Sequence, residues 1–166
     1  KNKITDYFLK QAEIGNWDKI KFSSVEKKLN LKKNSINKLF SDKIFFLDYY
    51  DRNIDKLVIK SVSAQDIADN NPSDIIQEYL MNKLDYMNEH KLGLSNIINF
   101  YLNNPKFYLI SLKSSKLSAQ LFLDQFIYSN NVIRKKLFEK TILALFLLGF
   151  QKWLYEDNTN SGAFAL

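Results

Sequence analysis

The stretch Ser23-Ser24-Val25-Glu26-Lys27-Lys28-Leu29-Asn30-Leu31-Lys32-Lys33-Asn34-Ser35-Ile36-Asn37-Lys38-Leu39-Phe40 decides how the chain is read. Ser23-Ser24-Val25-Glu26 matches a capping box, in which a hydroxyl and a carboxylate reciprocally satisfy backbone N–H groups orphaned at a helix start, so a helix is predicted from about Ser24. It is short, because Leu29-Asn30 follows and Asn tolerates the positive φ that a tight turn requires. From Lys33 to Phe40 the apolar positions recur at helical spacing, and Leu31, Ile36, Leu39 and Phe40 are expected to face inward with Val25 and Leu29. Lys32, Lys33, Asn34, Asn37 and Lys38 are then left outward. Two short helices joined by a tight turn, the second apolar within and polar without, are what a helix-turn-helix needs in order to enter a DNA major groove. Lysine neutralises phosphate, and an Asn side chain offers a donor and an acceptor together to an adenine edge.

Upstream, Ile4, Phe8, Leu9 and Ala12 predict a first helix, ended by Gly15-Asn16. Downstream, Ser41-Asp42 reads as the cap of a fourth helix from about Asp42 to Ile59. The polar segment 61–73, SVSAQDIADNNPS, is the clearest interruption in the chain. Beyond it a helix is predicted over Ser73–Glu89, with Ile75, Ile76, Tyr79, Leu80, Lys83, Leu84 and Met87 recurring at helical spacing. Another follows at Leu92–Leu102, closed by Asn103-Asn104-Pro105. Two long helices, Lys106–Tyr128 and Val132–Tyr155, are separated by Ser129-Asn130-Asn131, and Ala163-Phe164-Ala165-Leu166 resembles the start of a last helix. No strand-type alternation interrupts these two helices. The expected fold is therefore all-α, with a helix-turn-helix module over 1–48 and a helical dimerisation and effector-binding body over 49–166.

Composition supports this division. With four Gly and two Pro in 166 residues there are few chain reversals, and 46% apolar residues supply ample core. Residues 1–48 carry 11 Lys against 6 Asp and Glu, whereas residues 49–166 carry 13 Lys and Arg against 12 acids. The positive excess sits in the first third, as expected where one end of a molecule meets a polyanion; nucleotide bias toward Lys and Asn codons would give a similar count. The absence of Cys removes disulfides and thiolate sites and fits a reducing cytoplasm. The longest apolar run, Thr141–Phe150, is too short for a membrane span, and Lys1–Asp6 offers no apolar signal region, so no membrane partner is expected. Two Ser-x-x-Lys matches, Ser24 to Lys27 and Ser35 to Lys38, lie inside the helix-turn-helix and lack partner motifs. His90, the only histidine, follows Glu89 at a helix end and reads as a surface or capping residue. No catalytic residue, metal ligand or cofactor loop is assigned, and an enzyme is not expected.

From Ile4 to Leu47 the sequence resembles the TetR family of bacterial transcriptional regulators. The resemblance is carried by Ile4, Leu9 and Asn16-Trp17, by Ser23-Ser24-Val25, by Leu29-Asn30-Leu31-Lys32-Lys33-Asn34-Ser35-Ile36 and by Phe40-Ser41-Asp42-Lys43; Tyr50-Asp51-Arg52-Asn53-Ile54-Asp55 is similar to the family's fourth helix. It implies a regulator, commonly a repressor, that binds a palindromic operator in double-stranded DNA as a homodimer. It also implies that Ser35 faces DNA and that Lys43 contacts a backbone phosphate. With Ser24, Lys32, Lys33, Asn34, Asn37 and Lys38 these make the expected DNA-binding set. Asn30 in place of Gly, Asn37 in place of a phosphate-binding Tyr, and Lys32 in place of a capping hydroxyl depart from the family pattern.

Helix 132–155 is apolar on more sides than one core stripe requires, which is explained by a homodimer through this helix, completed by Lys106–Tyr128, or by a central position in a monomer. Tyr79, Phe100, Tyr101, Phe107, Tyr108, Phe122 and Phe126 are available either to line a pocket for a small apolar effector or to fill the core. The alternative function is a TetR-like fold that binds a lipid or isoprenoid without regulating DNA.

Overall fold

A computed structural model describes residues 2–61, 71–126 and 131–155. Most of segment 61–73, most of the Ser129-Asn130-Asn131 break and the Ala163–Leu166 ending lie outside these residues. Among the described residues there are seven α-helices, one short 3-10 turn and no strand: α1 (Lys3–Glu13), α2 (Phe22–Lys28), the 3-10 turn Lys43–Phe45, α3 (Phe46–Ser61), α4 (Pro72–Asn88), α5 (Lys91–Phe100), α6 (Pro105–Phe126) and α7 (Val132–Tyr155). The all-α expectation holds.

Helix ends follow local chemistry. Gly15 (φ 73°) and Asn30 (φ 52°) both take the left-handed conformation. After α1 the N–H of Asn16 reaches Gln11 O at 2.9 Å, and after α2 that of Leu31 reaches Glu26 O at 2.8 Å. Both helices thus close in a Schellman motif that satisfies their last carbonyls. Asn2, Asn71 and Asn131 accept from the first N–H groups of α1, α4 and α7, and Asn104 does so ahead of α6, where Pro105 occupies the first position. Asp42 caps the 3-10 turn, its Oδ1 accepting from Ile44 N at 2.9 Å, so the fourth predicted helix begins as 3-10 and turns into α3.

The described chain forms two compact units. The first joins the residues up to Tyr50 with Glu89–Ser111; α5 therefore belongs with the N-terminal helices, whereas the sequence reading assigns it to the C-terminal body. Its core is aromatic: Phe8 stacks on Phe46 with centroids 5.1 Å apart and meets Trp17, Phe22 and Phe40 edge-on or tilted. Such pairs contribute about 0.5–1.5 kcal/mol each beyond area burial. α5 approaches α1 closely at Gly93, where a Cβ would lie 2.7 Å from Leu9 O. His90, just before α5, is buried, with Nδ1 3.5 Å from Glu13 and Nε2 3.8 Å from Asp6. It is a bridge to α1 and not a surface residue.

The second unit spans Asp51–Asn88 and the chain from Leu112 onward. All seven predicted positions of α4, Lys83 included, are buried. Lys83, 1% exposed, pairs with Asp51 at 2.8 Å and Asp55 at 2.7 Å and donates to Ser118 Oγ at 2.7 Å. The Tyr79 hydroxyl and Ser118 Oγ each donate to Asp55 at 2.9 Å. Burial works to lower the Lys83 pKa, but Asp51, Tyr79 and Asp55 more than offset it and hold it above the ordinary lysine value; burial pushes the Tyr79 hydroxyl up. The ammonium also lies 4.6 Å from the Phe146 ring centroid of α7.

The proposed aromatic pocket set divides between the units. Tyr79 stacks on Phe122 and Tyr101 on Phe107, all buried as core, while Phe100 and Tyr108 are half exposed.

Removing one partner of a buried ion pair leaves an uncompensated charge, so Lys83→Met is expected to cost about 3–5 kcal/mol in urea unfolding. Adding Asp55→Asn should return about 1–2 kcal/mol of that loss through pairwise coupling. Strictly additive costs would show that the pair is not coupled.

Candidate nucleic-acid interface

Between Lys19 and Ser41 the chain carries seven lysines, Lys19, Lys21, Lys27, Lys28, Lys32, Lys33 and Lys38, and a single acid, Glu26. All seven lysines are exposed, and Glu26 is buried. The surface of this stretch is therefore cationic with no carboxylate of its own, a sharper asymmetry than the count over residues 1–48.

Glu26 does not act as predicted. α2 begins at Phe22, two residues earlier than a Ser24 start, with Lys21 at the cap position and no side-chain cap hydrogen bond. Instead of reaching back in a capping box, the Glu26 carboxylate reaches forward: Oε2 accepts from Asn34 N at 3.1 Å and Oε1 from Ile36 N at 3.0 Å. One buried side chain of α2 thus fixes the backbone of the following segment at two points.

That segment is the main departure from expectation. Residues 33–39 form overlapping turns and not an α-helix. Asn34 sits at φ 61°, which breaks helical continuity, and the N–H of Ile36, held by Glu26, is withdrawn from a helical bond to Lys32 O. A run of seven residues containing two Asn, a Ser and a β-branched Ile has little intrinsic drive to resist this. One helical turn survives at its end, where Phe40 N reaches Ile36 O at 3.1 Å. Ile36 and Phe40 are buried as expected, but Leu39 is 42% exposed, and Leu31 is only half-buried. Phe40 anchors this run of turns, a knuckle over residues 33–39, in the aromatic core, 5.4 Å from Phe22 and 5.3 Å from Tyr49 between centroids.

Of the expected DNA-binding set, Ser24, Lys32, Lys33, Asn34, Asn37 and Lys38 are exposed. Ser35 is half-buried and its hydroxyl donates to Lys32 O at 2.6 Å, inside its own turn. Lys43 is folded back: Nζ donates to Trp17 O at 2.9 Å and Asp18 O at 3.0 Å and lies 5.7 Å from the Trp17 ring centroid. Burial draws its pKa below the ordinary lysine value, against the pull of Asp18 and Asp42. Its ammonium closes the α1–α2 connection, a role unlike the phosphate contact that the family resemblance implies.

Sequence reasoning missed Glu26 as the organising residue. Its signal was present: Glu26 lies four residues after Phe22 and three before Leu29, which puts it on the inner face of α2.

The chain matches no family model, no curated protein and no solved structure.

Glu26→Ala leaves two backbone donors without their acceptor, and a loss of about 2–3 kcal/mol is expected in urea unfolding. A parallel rise in amide exchange at Asn34 and Ile36 locates the effect. Unchanged protection at both amides would mean that Glu26 does not hold the knuckle.

Proposed function

We propose that the chain is a TetR-type transcriptional regulator that binds double-stranded DNA as a homodimer, with α2 and residues 32–38 as its contact surface. The observation that carries this reading is the field of seven exposed lysines whose only intervening acid is buried and fully engaged. Lys32, Lys33 and Lys38 supply phosphate neutralisation, and Asn37 beside them is the residue type that reads an adenine edge.

The dimer reading rests on α7. Ile133, Leu137, Lys140, Ala144, Leu147 and Gln151 recur at alternating steps of four and three, and all are exposed. This is the spacing of a coiled-coil seam on a helix about 36 Å long. Leu148 and Tyr155 flank it, 66% and 64% exposed, and Leu112, Leu117 and Leu121 of α6 are exposed as well. A two-fold partner covers such a stripe, and a dimer with half-sites about 34–36 Å apart binds a palindrome.

A second reading, a fold of this type that binds a lipid or isoprenoid and not DNA, is favoured by two observations. The segment that would enter the groove is a set of turns, and Lys43 is turned inward.

Fluorescence anisotropy on duplex DNA across a salt series tests the choice. The regulator reading expects log affinity to fall against log salt by about 0.9 per neutralised phosphate, and Lys32→Ala or Lys38→Ala each to reduce that slope by about 1 on any sequence. Asn37→Ala is expected to relax sequence preference by about 1–3 kcal/mol. Salt-insensitive affinity together with a co-purifying lipid selects the second reading. For the dimer, Leu148→Glu is expected to give monomers in sedimentation velocity and weaker operator binding with an unchanged circular dichroism spectrum; a wild-type monomer overturns it.

A further inference from the structure

The second unit holds a cleft of about 320 Å³ between α4 and α7, at the small end of the range for ligand sites. Ile76 and Leu80 line it from α4, and Phe138 and Leu145 from α7. The two helices run side by side in the same direction: residues 73–80 face 134–145, and further along Lys83 meets Phe146. Their first turns therefore lie at one end of the cleft, with Ser73 and Arg134, and Gln77 follows one turn further along α4. The other end, at Leu80 and Leu145, is aliphatic.

Arg134 is exposed and its guanidinium lies 5.5 Å from the Phe138 ring centroid. Among the described residues no carboxylate pairs with it, whereas Lys135 pairs with Asp124 and Lys116 with Glu139. A guanidinium with no carboxylate partner among the described residues, on an apolar slot that Ser73 and Gln77 also line, is complementary to an anionic head on a hydrocarbon chain, of which a carboxylate is the simplest. A guanidinium fork fits a carboxylate with two parallel N–H donors, and the slot removes the chain from water.

We propose that this cleft binds a single-chain amphipathic carboxylate, its head on Arg134 and its tail toward Leu80 and Leu145. The proposal rests on the reading of the C-terminal body as effector-binding, and measuring binding without DNA separates its failure from failure of the DNA-binding reading.

Isothermal titration of the full chain tests it, with dodecanoate and dodecyltrimethylammonium below their micelle concentrations and dodecanol below its solubility limit. Dodecanoate is expected to bind saturably at one per chain, and dodecanol about tenfold more weakly, the factor that one charge-assisted hydrogen bond supplies. The cation should bind more weakly still. Arg134→Gln is expected to bring carboxylate and alcohol to equal affinity while leaving the melting temperature unchanged. Thr141→Trp, which places an indole in the cleft from an exposed position, should abolish binding of both. Leu137 also lines the cleft but belongs to the α7 stripe, so it is left unaltered. No saturable binding of dodecanoate, equal affinity for acid and alcohol in the wild type, or dodecanoate binding untouched by either variant overturns the proposal.

Discussion

A carboxylate buried without a cation has to be surrounded by N–H donors, since an unpaired buried charge is far costlier than any local conformational preference. Glu26 meets that demand with the amides of Asn34 and Ile36, and the form of the first unit's lysine-bearing surface follows from it. The Ile36 N–H cannot serve both the Glu26 carboxylate and a helical bond to Lys32 O, and Asn34 leaves helical φ altogether. The segment after Asn30 therefore gives up helical pairing at its start and becomes helical only at the Ile36–Phe40 turn. The positive φ at Asn30 and Asn34 is the conformational cost, and Asn is the non-glycine residue for which that cost is smallest. Burying the one acid of this stretch also leaves lysines as the charged groups on its exposed surface.

The second unit solves the same problem with the opposite ion. Lys83 of α4 carries its charge into the core, and Asp51 and Asp55 of α3 with Ser118 of α6 converge on it. Three helices are thereby tied at one point by bonds that tolerate little sliding, which an aliphatic contact at the same place would not achieve. Phe146 places a fourth helix against the cluster, where the ring face meets the ammonium. Such a cluster contributes less to net stability than its Coulomb energy suggests, because desolvation opposes it, and its effect lies more in fixing register.

What was legible in the sequence was periodic or local. The face of α4, the caps at Asp42, Gly15 and Asn30, and the span of α7 all rest on spacing and on side chains that act on their own backbone. What was not legible depended on partners distant in sequence. The motif Ser23-Ser24-Val25-Glu26 reads as a capping box only while Glu26 has nothing better to bind, and amides eight and ten residues ahead outcompete the one behind. Lys43 reads as a surface cation until the carbonyls of Trp17 and Asp18, about 25 residues earlier in the chain, come within reach. The close approach of α5 to α1 has only Gly93 as its mark, and a lone glycine in a helical pattern reads equally as a weak point.

α7 shows why an apolar helix need not be a central one. At 100° per residue, Ile142, Phe146, Gly149 and Trp153 cover one arc of its circumference and are buried in its own unit. The stripe from Ile133 to Gln151 covers a second arc, and the cleft wall of Arg134, Phe138 and Leu145 lies on a third. Each arc carries apolar side chains for a different reason, so the excess that the sequence shows is a sum of three demands. The second and third arcs meet at Leu137, which is exposed on the stripe and also lines the cleft. If a partner copy and an amphiphile occupy these surfaces as proposed, each packs against that side chain. An occupant that shifts it changes the affinity for the other, and by linkage the effect is equal in both directions.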